Sequence, residues 1–180
     1  METVKPPESA LLFVSALYRD ADVFEQSEEI LENNFGDTLY ISPPLPWDYS
    51  SYYKDEIGEP LFRQIIFFKN IVDTGLLVDI KLKTNEIESA LSLDGRRQIN
   101  LDPGYLTLAK VVLASTKNYA HRLYLGKGIY GEITLIYRDE TYSPHIFTYR
   151  DYQDKTHIDI FINARAMLKK MFDSLPPEAD

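Results

Sequence analysis

The stretch that decides the fold is Ala10-Leu11-Leu12-Phe13-Val14-Ser15-Ala16-Leu17-Tyr18, an almost continuous apolar run. Such a run is typical of a strand buried on both faces. It is too short to span a bilayer, and the polar sequence Arg19-Asp20-Ala21-Asp22 follows it at once. It also lacks the basic start and the cleavage site of a signal peptide. We therefore expect a central strand here, and no membrane segment.

Two helices and three more strands are predicted in the first half of the chain. The first helix begins at Asp20 or Asp22, either of which can cap it, and Gly36 ends it after an apolar stripe that includes Phe24 and Leu31. The elements that follow are a short strand at 38–41, a loop rich in proline and aromatic residues at 42–59, an apolar strand at 61–69, a helix at 75–92 and an alternating strand at 97–102.

This order of elements, strand–helix–strand–strand–helix–strand, is the ferredoxin-like pattern. The pattern requires the first and third strands to be central and the second and fourth to lie at the edges. The two fully apolar runs, 10–18 and 61–69, are the first and third strands. The sequence therefore predicts an α+β protein with a ferredoxin-like βαββαβ core over residues 10–102.

Residues 103–180 are predicted to extend this core within a single composite domain, 1–180, because no linker separates the two parts. Asp102-Pro103 has the residue types of a helix cap and first turn, so a helix is expected to about Lys117. The remaining predicted elements are a hairpin of strands 120–125 and 129–137, a short strand near Phe147, and a last helix at 155–175 before Pro176-Pro177.

The register of the hairpin follows from the loop Gly126-Lys127-Gly128. A three-residue loop keeps polar and apolar side chains on separate faces, whereas a one-residue slip would mix them. The predicted cross-strand neighbours are Leu125 with Ile129, Leu123 with Gly131, Tyr124 with Tyr130, and Arg122 with Glu132.

Composition limits the function classes. The net charge of −9 argues against duplex nucleic acid as a partner, because such binding needs a basic face. The absence of cysteine excludes disulfides and thiolate sites, and it fits the cytoplasm as the expected compartment. The unusual feature is aromatic, with 13 Tyr, 9 Phe and 1 Trp.

Seven short stretches carry a family resemblance. They are Pro46–Tyr53, Lys81–Glu86, Asn100–Leu106, Leu113–Lys117, His121–Gly126, Gly128–Glu132 and Thr148–Tyr152. Together they resemble domain-of-unknown-function family 4416, a group of uncharacterised bacterial proteins of which some are labelled GTP-binding protein. The sequence contains no G-x-x-x-x-G-K-[ST] loop to cradle phosphates.

Polar residues of the predicted helix and hairpin form the candidate site. Lys110 and Lys117 are seven residues apart and would share a helix face. Arg122 can clamp a phosphate or carboxylate, and His121 suits general acid–base catalysis. We predict catalytic roles for His121, Asp102 and Glu132, and ligand contacts for Lys110, Lys117, Arg122, Tyr105, Arg97 and Tyr124.

Each of these residues also has a structural interpretation. The lysines are typical of a solvated helix surface, and Arg122 with Glu132 of an exposed cross-strand pair. Asp102 before Pro103 is first of all a helix cap. The sequence has no H-E-x-x-H or G-x-S-x-G motif, so no metal site and no serine nucleophile are predicted, and no cofactor is assigned.

The tyrosines concentrate in loops, where they either form a recognition surface or fasten the loop to the sheet. The clusters are Trp47, Tyr49, Tyr52 and Tyr53 in one loop and Tyr149 and Tyr152 in another. Two functions are therefore considered. The first is binding of, or catalysis on, a small anionic, phosphate- or nucleotide-like ligand near residues 105–132. The alternative is a non-catalytic, self-associating interaction module that uses the Tyr-rich loops. Convergence of the charged residues on one cleft would favour the first.

Overall fold

The apolar run at residues 10–18 forms strand β1 (Ala10–Tyr18), which lies inside a nine-stranded sheet. The computed structural model describes residues 3–174. The predicted end of the last helix, at Leu175 and Pro176-Pro177, lies outside these described residues. All strand pairings in the sheet are antiparallel.

The other elements complete a mixed α/β fold with one large antiparallel sheet. The strands are β2 (Thr38–Ile41), β3 (Leu45–Trp47), β4 (Leu61–Val72), β5 (Ile99–Leu106), β6 (Lys110–Ser115), β7 (Leu123–Gly126), β8 (Ile129–Arg138) and β9 (Thr141–Pro144). The helices are α1 (Ala21–Phe35), α2 (Ser51–Ile57), α3 (Leu77–Ala90) and α4 (Lys155–Asp173). The strand order is β2-β4-β1-β5-β6-β8-β7, with β3 paired to β4 and β9 to β8.

The two apolar runs occupy the interior positions predicted for them. β1 pairs with β4 on one side and with β5 on the other, and β4 also pairs with β2. The strand predicted at 97–102, expected at an edge, is longer and lies inside the sheet, because β6 pairs with its far side.

Local signals determine α1, and α3 lies within its predicted range. The Asp20 side chain accepts a hydrogen bond from the Asp22 N–H at 3.0 Å, and Gly36 follows the last turn. Phe24 and Leu31 are buried on the predicted stripe. A 3-10 turn at Thr74–Leu76 and α3 together cover most of the helix predicted at 75–92.

The helix predicted from Asp102 to Lys117 is wrong, because these residues form the end of β5, a turn and β6. Val111 packs in the core that includes α4, and Val112 packs on the opposite face with residues of α3. A strand buried on both faces has a continuous apolar sequence, which periodicity alone does not distinguish from a buried helix. Asp102 is therefore a strand residue and caps no helix.

Pro103 fits inside the sheet because one side of β5 is open at this point. Val14 of β1 stands opposite Pro103, but β6 pairs with β5 only from Gly104 onward. The N–H groups of alternate strand residues point to the same side, and the N–H of Leu101 points to the Glu88 side chain. The missing N–H of Pro103 thus falls on the side without a strand.

The hairpin register is confirmed except at its loop. The observed pairs include Leu123 with Gly131 and Tyr124 with Tyr130. The predicted pair of Leu125 with Ile129 is wrong, because a bulge places Gly126 opposite Ile129. The loop is Lys127-Gly128, whose φ values of 50° and 79° suit a two-residue hairpin turn.

Two short regions differ from the prediction. The region 42–59, predicted as a loop, contains β3 and α2, with Ser50 capping α2. The strand predicted near Phe147 lies earlier, as β9. Both β3 and β9 are too short for a periodic pattern to identify them.

Helices cover both faces of the sheet. Residues of α1 and α3 pack on one face with Leu12 and Val14, and residues of α4 pack on the other with Phe13 and Phe67. Trp47 and Ile57 form a smaller cluster with β1 and β4. None of the helices in the described part of the chain is both long and apolar enough to cross a membrane.

Candidate functional site

The sheet opens between β5 and β6, and the candidate site lies at this opening. The two strands pair from Gly104 to Leu106 only, although β5 begins at Ile99. At Leu101 the backbone N–H donates to Glu88 Oε1 at 2.6 Å, and the carbonyl accepts from Lys81 Nζ at 2.9 Å. Two side chains of α3 thus satisfy backbone groups that a neighbouring strand would otherwise pair.

Polar side chains replace the apolar core at this end of the sheet. Ser15 of β1 stands opposite Asp102 of β5, and Arg63 Nη1 of β4 donates to Ser15 Oγ at 2.6 Å. Phe13 and Phe67 project from the same face, since alternate strand residues share a face, and they pack in the core that includes α4. One face of the sheet is therefore apolar beneath α4 and polar beside it.

The polar part of this face is the floor of a cleft of about 570 Å³. Small-molecule sites commonly measure roughly 300–1,000 Å³. Its aromatic lining comes from both Tyr-rich loops, as Trp47, Tyr49, Tyr52, Tyr53, Phe147, Tyr149 and Tyr152. The loop tyrosines thus form walls of the cleft.

Asp102 is the carboxylate on the cleft floor. Its Oδ1 lies 3.3 Å from Lys81 Nζ, and its Oδ2 accepts a hydrogen bond from Asn100 Nδ2 at 2.6 Å. Burial opposes its ionisation, but the Lys81 ammonium, the Arg63 guanidinium and the Asn100 amide hold the pKa of Asp102 below its usual range. Asp102 is therefore ionised at neutral pH.

Glu88 is the second acid beside the opening, and it is almost fully buried. Burial raises the pKa of Glu88 to about 7, against the attraction of Lys81 and the hydrogen bond from Leu101. Arg97 Nε lies 3.5 Å from Glu88 Oε2, and Arg97 Nη1 donates to Asn100 Oδ1 at 3.0 Å. Glu88 therefore changes charge near neutral pH.

Arg122 and Glu132 form a buried ion pair that connects β8 to the segment before β7. Arg122 Nε donates to Glu132 Oε2 at 2.6 Å, and its other nitrogens donate to Ser115 Oγ at 2.9 Å and Tyr149 Oη at 2.7 Å. It also donates to the Lys117 carbonyl at 2.9 Å. Four of its five N–H donors are thus used within the protein.

Charge is distributed unevenly in the cleft. Six lining residues are cationic, namely Arg63, Lys81, Arg97, Lys117, Arg122 and Arg150. Four are acidic, namely Glu88, Asp102, Glu132 and Asp151. The cleft therefore has an excess of positive groups in an acidic chain.

Comparison with known proteins identifies the family. A family model described as Domain of unknown function (DUF4416) matches residues 8–168. The chain belongs to the DUF4416 family. No curated protein and no solved structure matches it.

The seven stretches that carry the resemblance to DUF4416 converge on the cleft. Each contributes at least one lining residue, such as Trp47, Lys81, Asp102, Ser115, Arg122, Glu132 and Tyr149. These stretches lie on strands, on α3 and in loops that are distant in the chain. The motifs of this DUF4416 member thus surround one cavity.

Five of the nine predicted site residues line the cleft, and they are Arg97, Asp102, Lys117, Arg122 and Glu132. His121 is not among the lining residues, but it contacts two of them. Its Nε2 lies 3.0 Å from Glu132 Oε2, and its ring stacks on Phe147. Lys110, Tyr105 and Tyr124 are not among the lining residues. The grouping of Lys110 with Lys117 depends on the predicted helix. In the structure Lys110 begins β6, and Lys117 lies two residues beyond its other end, at Ser115.

Sequence reasoning missed several residues of the cleft. Arg63 had a usable signal, since it shares a strand face with the apolar Leu61 and Ile65. Lys81 and Asn85 lie in a stretch that carries the family resemblance. The sequence pattern of this stretch is that of an ordinary amphipathic helix, so it does not single them out as site residues. Within residues 3–174, no group of three or more His, Asp or Glu side chains is placed to hold a metal ion.

Proposed function

We propose that the cleft binds a small anionic ligand of the phosphate or nucleotide class. The observation that carries this proposal is the excess of cationic over acidic lining residues in a chain of net charge −9. Cations gathered in a cleft of an acidic protein focus a positive potential and attract anions. Glu88 adds to this excess whenever it holds its proton.

Two exposed cations are suited to hold the charge of the ligand. Lys117 and Arg150 have no carboxylate partner among the described residues, whereas the other lining cations do. Lys117 Nζ lies 4.8 Å from the centre of the Tyr52 ring. A cation and an aromatic ring therefore lie side by side. The cation can bind a phosphate group, and the ring can contact a planar part of the same ligand.

Isothermal titration calorimetry with inorganic phosphate, pyrophosphate and a ribonucleoside monophosphate tests the proposal. The wild-type protein is expected to bind at least one of them. The double variant Lys117→Ala/Arg150→Ala is expected to lose about tenfold or more in affinity, because each charge-assisted hydrogen bond contributes roughly 1.5–3 kcal/mol.

Lys110→Ala is the matched control, since Lys110 lies on β6 but does not line the cleft. It is expected to bind as the wild type does. Binding of none of these anions, or an equal loss in Lys110→Ala, would contradict the proposal.

A self-associating interaction module is the second candidate, and the exposed edge strand β7 favours it. β7 ends the strand order, and its Leu123 and Tyr124 are 74% and 63% exposed. The strand carries no charge or proline to block edge pairing. A second copy is a suitable partner, because antiparallel pairing of identical strands about a twofold axis is self-complementary.

Light scattering after size-exclusion chromatography tests this second candidate. Wild-type protein is expected to form dimers, and Leu123→Lys to be monomeric. Leu76→Lys is the control, because Leu76 is a half-exposed leucine outside the sheet. A monomeric wild type at high concentration would eliminate the candidate.

We also propose a ferredoxin-like core for the fold and the cytoplasm as the compartment. The order β2-β4-β1-β5, with antiparallel pairings and with α1 and α3 in one cluster on one face, supports a ferredoxin-like core inside the larger sheet. The absence of cysteine supports the cytoplasm as the compartment.

A further inference from the structure

Asp102 has acceptor capacity that the protein does not use. An ionised carboxylate offers about four lone-pair sites. Among the described residues, Lys81 approaches Oδ1 and Asn100 donates to Oδ2. The side chain keeps 29% of its area exposed and lines the cleft. A ligand in the cleft therefore meets an acceptor with room for further donors.

The surroundings of Asp102 select a neutral donor. Lys81 Nζ lies 3.3 Å from its carboxylate, and Arg63 donates to Ser15, the residue opposite Asp102 in the sheet. These two cations would repel a ligand ammonium, and the carboxylate would repel a ligand anion. A hydroxyl group avoids both penalties, and its hydrogen bond to a carboxylate is charge-assisted.

We infer, building on the proposed function, that the ligand is a sugar phosphate whose hydroxyl groups donate to Asp102 while its phosphate meets Lys117 and Arg150. Nucleoside phosphates belong to this class, and their bases can stack on the aromatic walls at Tyr52 and Tyr53. Inorganic phosphate contacts the two cations but brings no sugar hydroxyl group to the remaining acceptor sites of Asp102.

Calorimetric titration of the whole chain with four probes tests this inference. The probes are inorganic phosphate, ribose phosphate, a ribonucleoside monophosphate and its dideoxy counterpart. The wild type is expected to bind the ribonucleotide at least about tenfold more tightly than the dideoxy compound, because the dideoxy compound lacks the sugar hydroxyl groups that donate to the Asp102 carboxylate. Tighter binding of ribose phosphate than of inorganic phosphate would support the inference, because it would show that the sugar is recognised without a base.

Asp102→Asn is expected to bind the ribonucleotide and the dideoxy compound with similar affinity. Asp79→Asn is the matched control, because Asp79 is an exposed aspartate paired with Lys127 on the surface. This control is expected to keep the wild-type preference.

Each outcome decides between the proposals. Equal wild-type affinity for the ribonucleotide and the dideoxy compound would overturn the inference and leave the proposed function intact. Binding of no probe would overturn both. A preference that persists in Asp102→Asn would overturn the role of Asp102. If this variant does not fold, the wild-type comparison decides alone.

Discussion

Arg63 and Asp151 form a buried ion pair at the base of the cleft, with Arg63 Nε 2.8 Å from Asp151 Oδ2. Trp47 Nε1 donates to the same carboxylate oxygen at 2.9 Å. The guanidinium also lies over the rings of Trp47 and Tyr152. The two charged side chains are only 5% and 3% exposed. Each charge therefore depends on the other for compensation, and the pair fastens the aromatic loops to β4.

Asp151→Asn is predicted to destabilise the protein by about 3 kcal/mol or more, because it removes the carboxylate that contacts the buried Arg63 guanidinium. Urea unfolding measures the change. Asp159→Asn is the control, since Asp159 forms a surface pair with Lys155 on α4, and its loss is expected to cost less than about 1 kcal/mol. Similar costs for the two variants would contradict the importance of the buried pair.

Gly104→Ala is predicted to destabilise the sheet by about 2 kcal/mol or more. A Cβ at residue 104 would lie 2.4 Å from the Val112 carbonyl oxygen and 2.5 Å from Phe13 Cζ. The Val112 oxygen belongs to the paired backbone of β6, so it has little freedom to move. Gly75→Ala, whose Cβ would meet only the Asp73 side chain, is the control for thermal unfolding. An unchanged melting temperature for Gly104→Ala would contradict this packing.

Glu88 is predicted to make stability fall as pH rises. Its pKa is about 7 in the folded protein against 4.5 as the ordinary value. Between these values the folded state keeps a proton that the unfolded state has lost, so the free energy of unfolding decreases with pH. The decrease is of the order of 3 kcal/mol, at about 1.36 kcal/mol for each pKa unit.

Glu88→Gln tests this pH dependence by urea unfolding at several pH values. The variant is expected to lose the decrease while its amide oxygen still accepts the Leu101 N–H. Burial lowers the pKa of His157 and acts in the opposite sense, so the difference between variant and wild type is the quantity to compare. Glu86→Gln, at an exposed site on the same helix, is expected to keep the wild-type slope. An identical slope in Glu88→Gln would refute the assignment.

Arg122→Lys is predicted to destabilise the protein by about 2 kcal/mol, because a lysine cannot reproduce the planar guanidinium that donates to four acceptors. Hydrogen exchange is expected to rise in residues 115–122, which the guanidinium holds together. Arg138→Lys is the control, since Arg138 is an exposed residue that pairs with Asp139 at 3.2 Å. Unchanged hydrogen exchange in residues 115–122 would show that the Arg122 guanidinium does not stabilise this segment.

Local sequence was sufficient to predict an element that has its own capping residue, its own apolar stripe and its own terminating residue. Asp20 and Gly36 bound α1, and the apolar residues between them face the sheet. The hairpin register was also accessible, since polar and apolar residues separate in one register only. Local sequence failed at β6, where Val111 to Ala114 suit either a buried helix or a strand buried on both faces.

By itself, the sequence determined β1, β4, α1 and α3, because periodicity and capping act within a few residues of the chain. It also led to the prediction that Asp102, Arg122 and Glu132 belong to one site. Only the tertiary structure decided that β6 is a strand and that Arg63, Lys81 and Asp151 join these residues in one cleft. The physical reason is that strand pairing and the compensation of buried charge depend on partners far away in the chain, which no local pattern specifies.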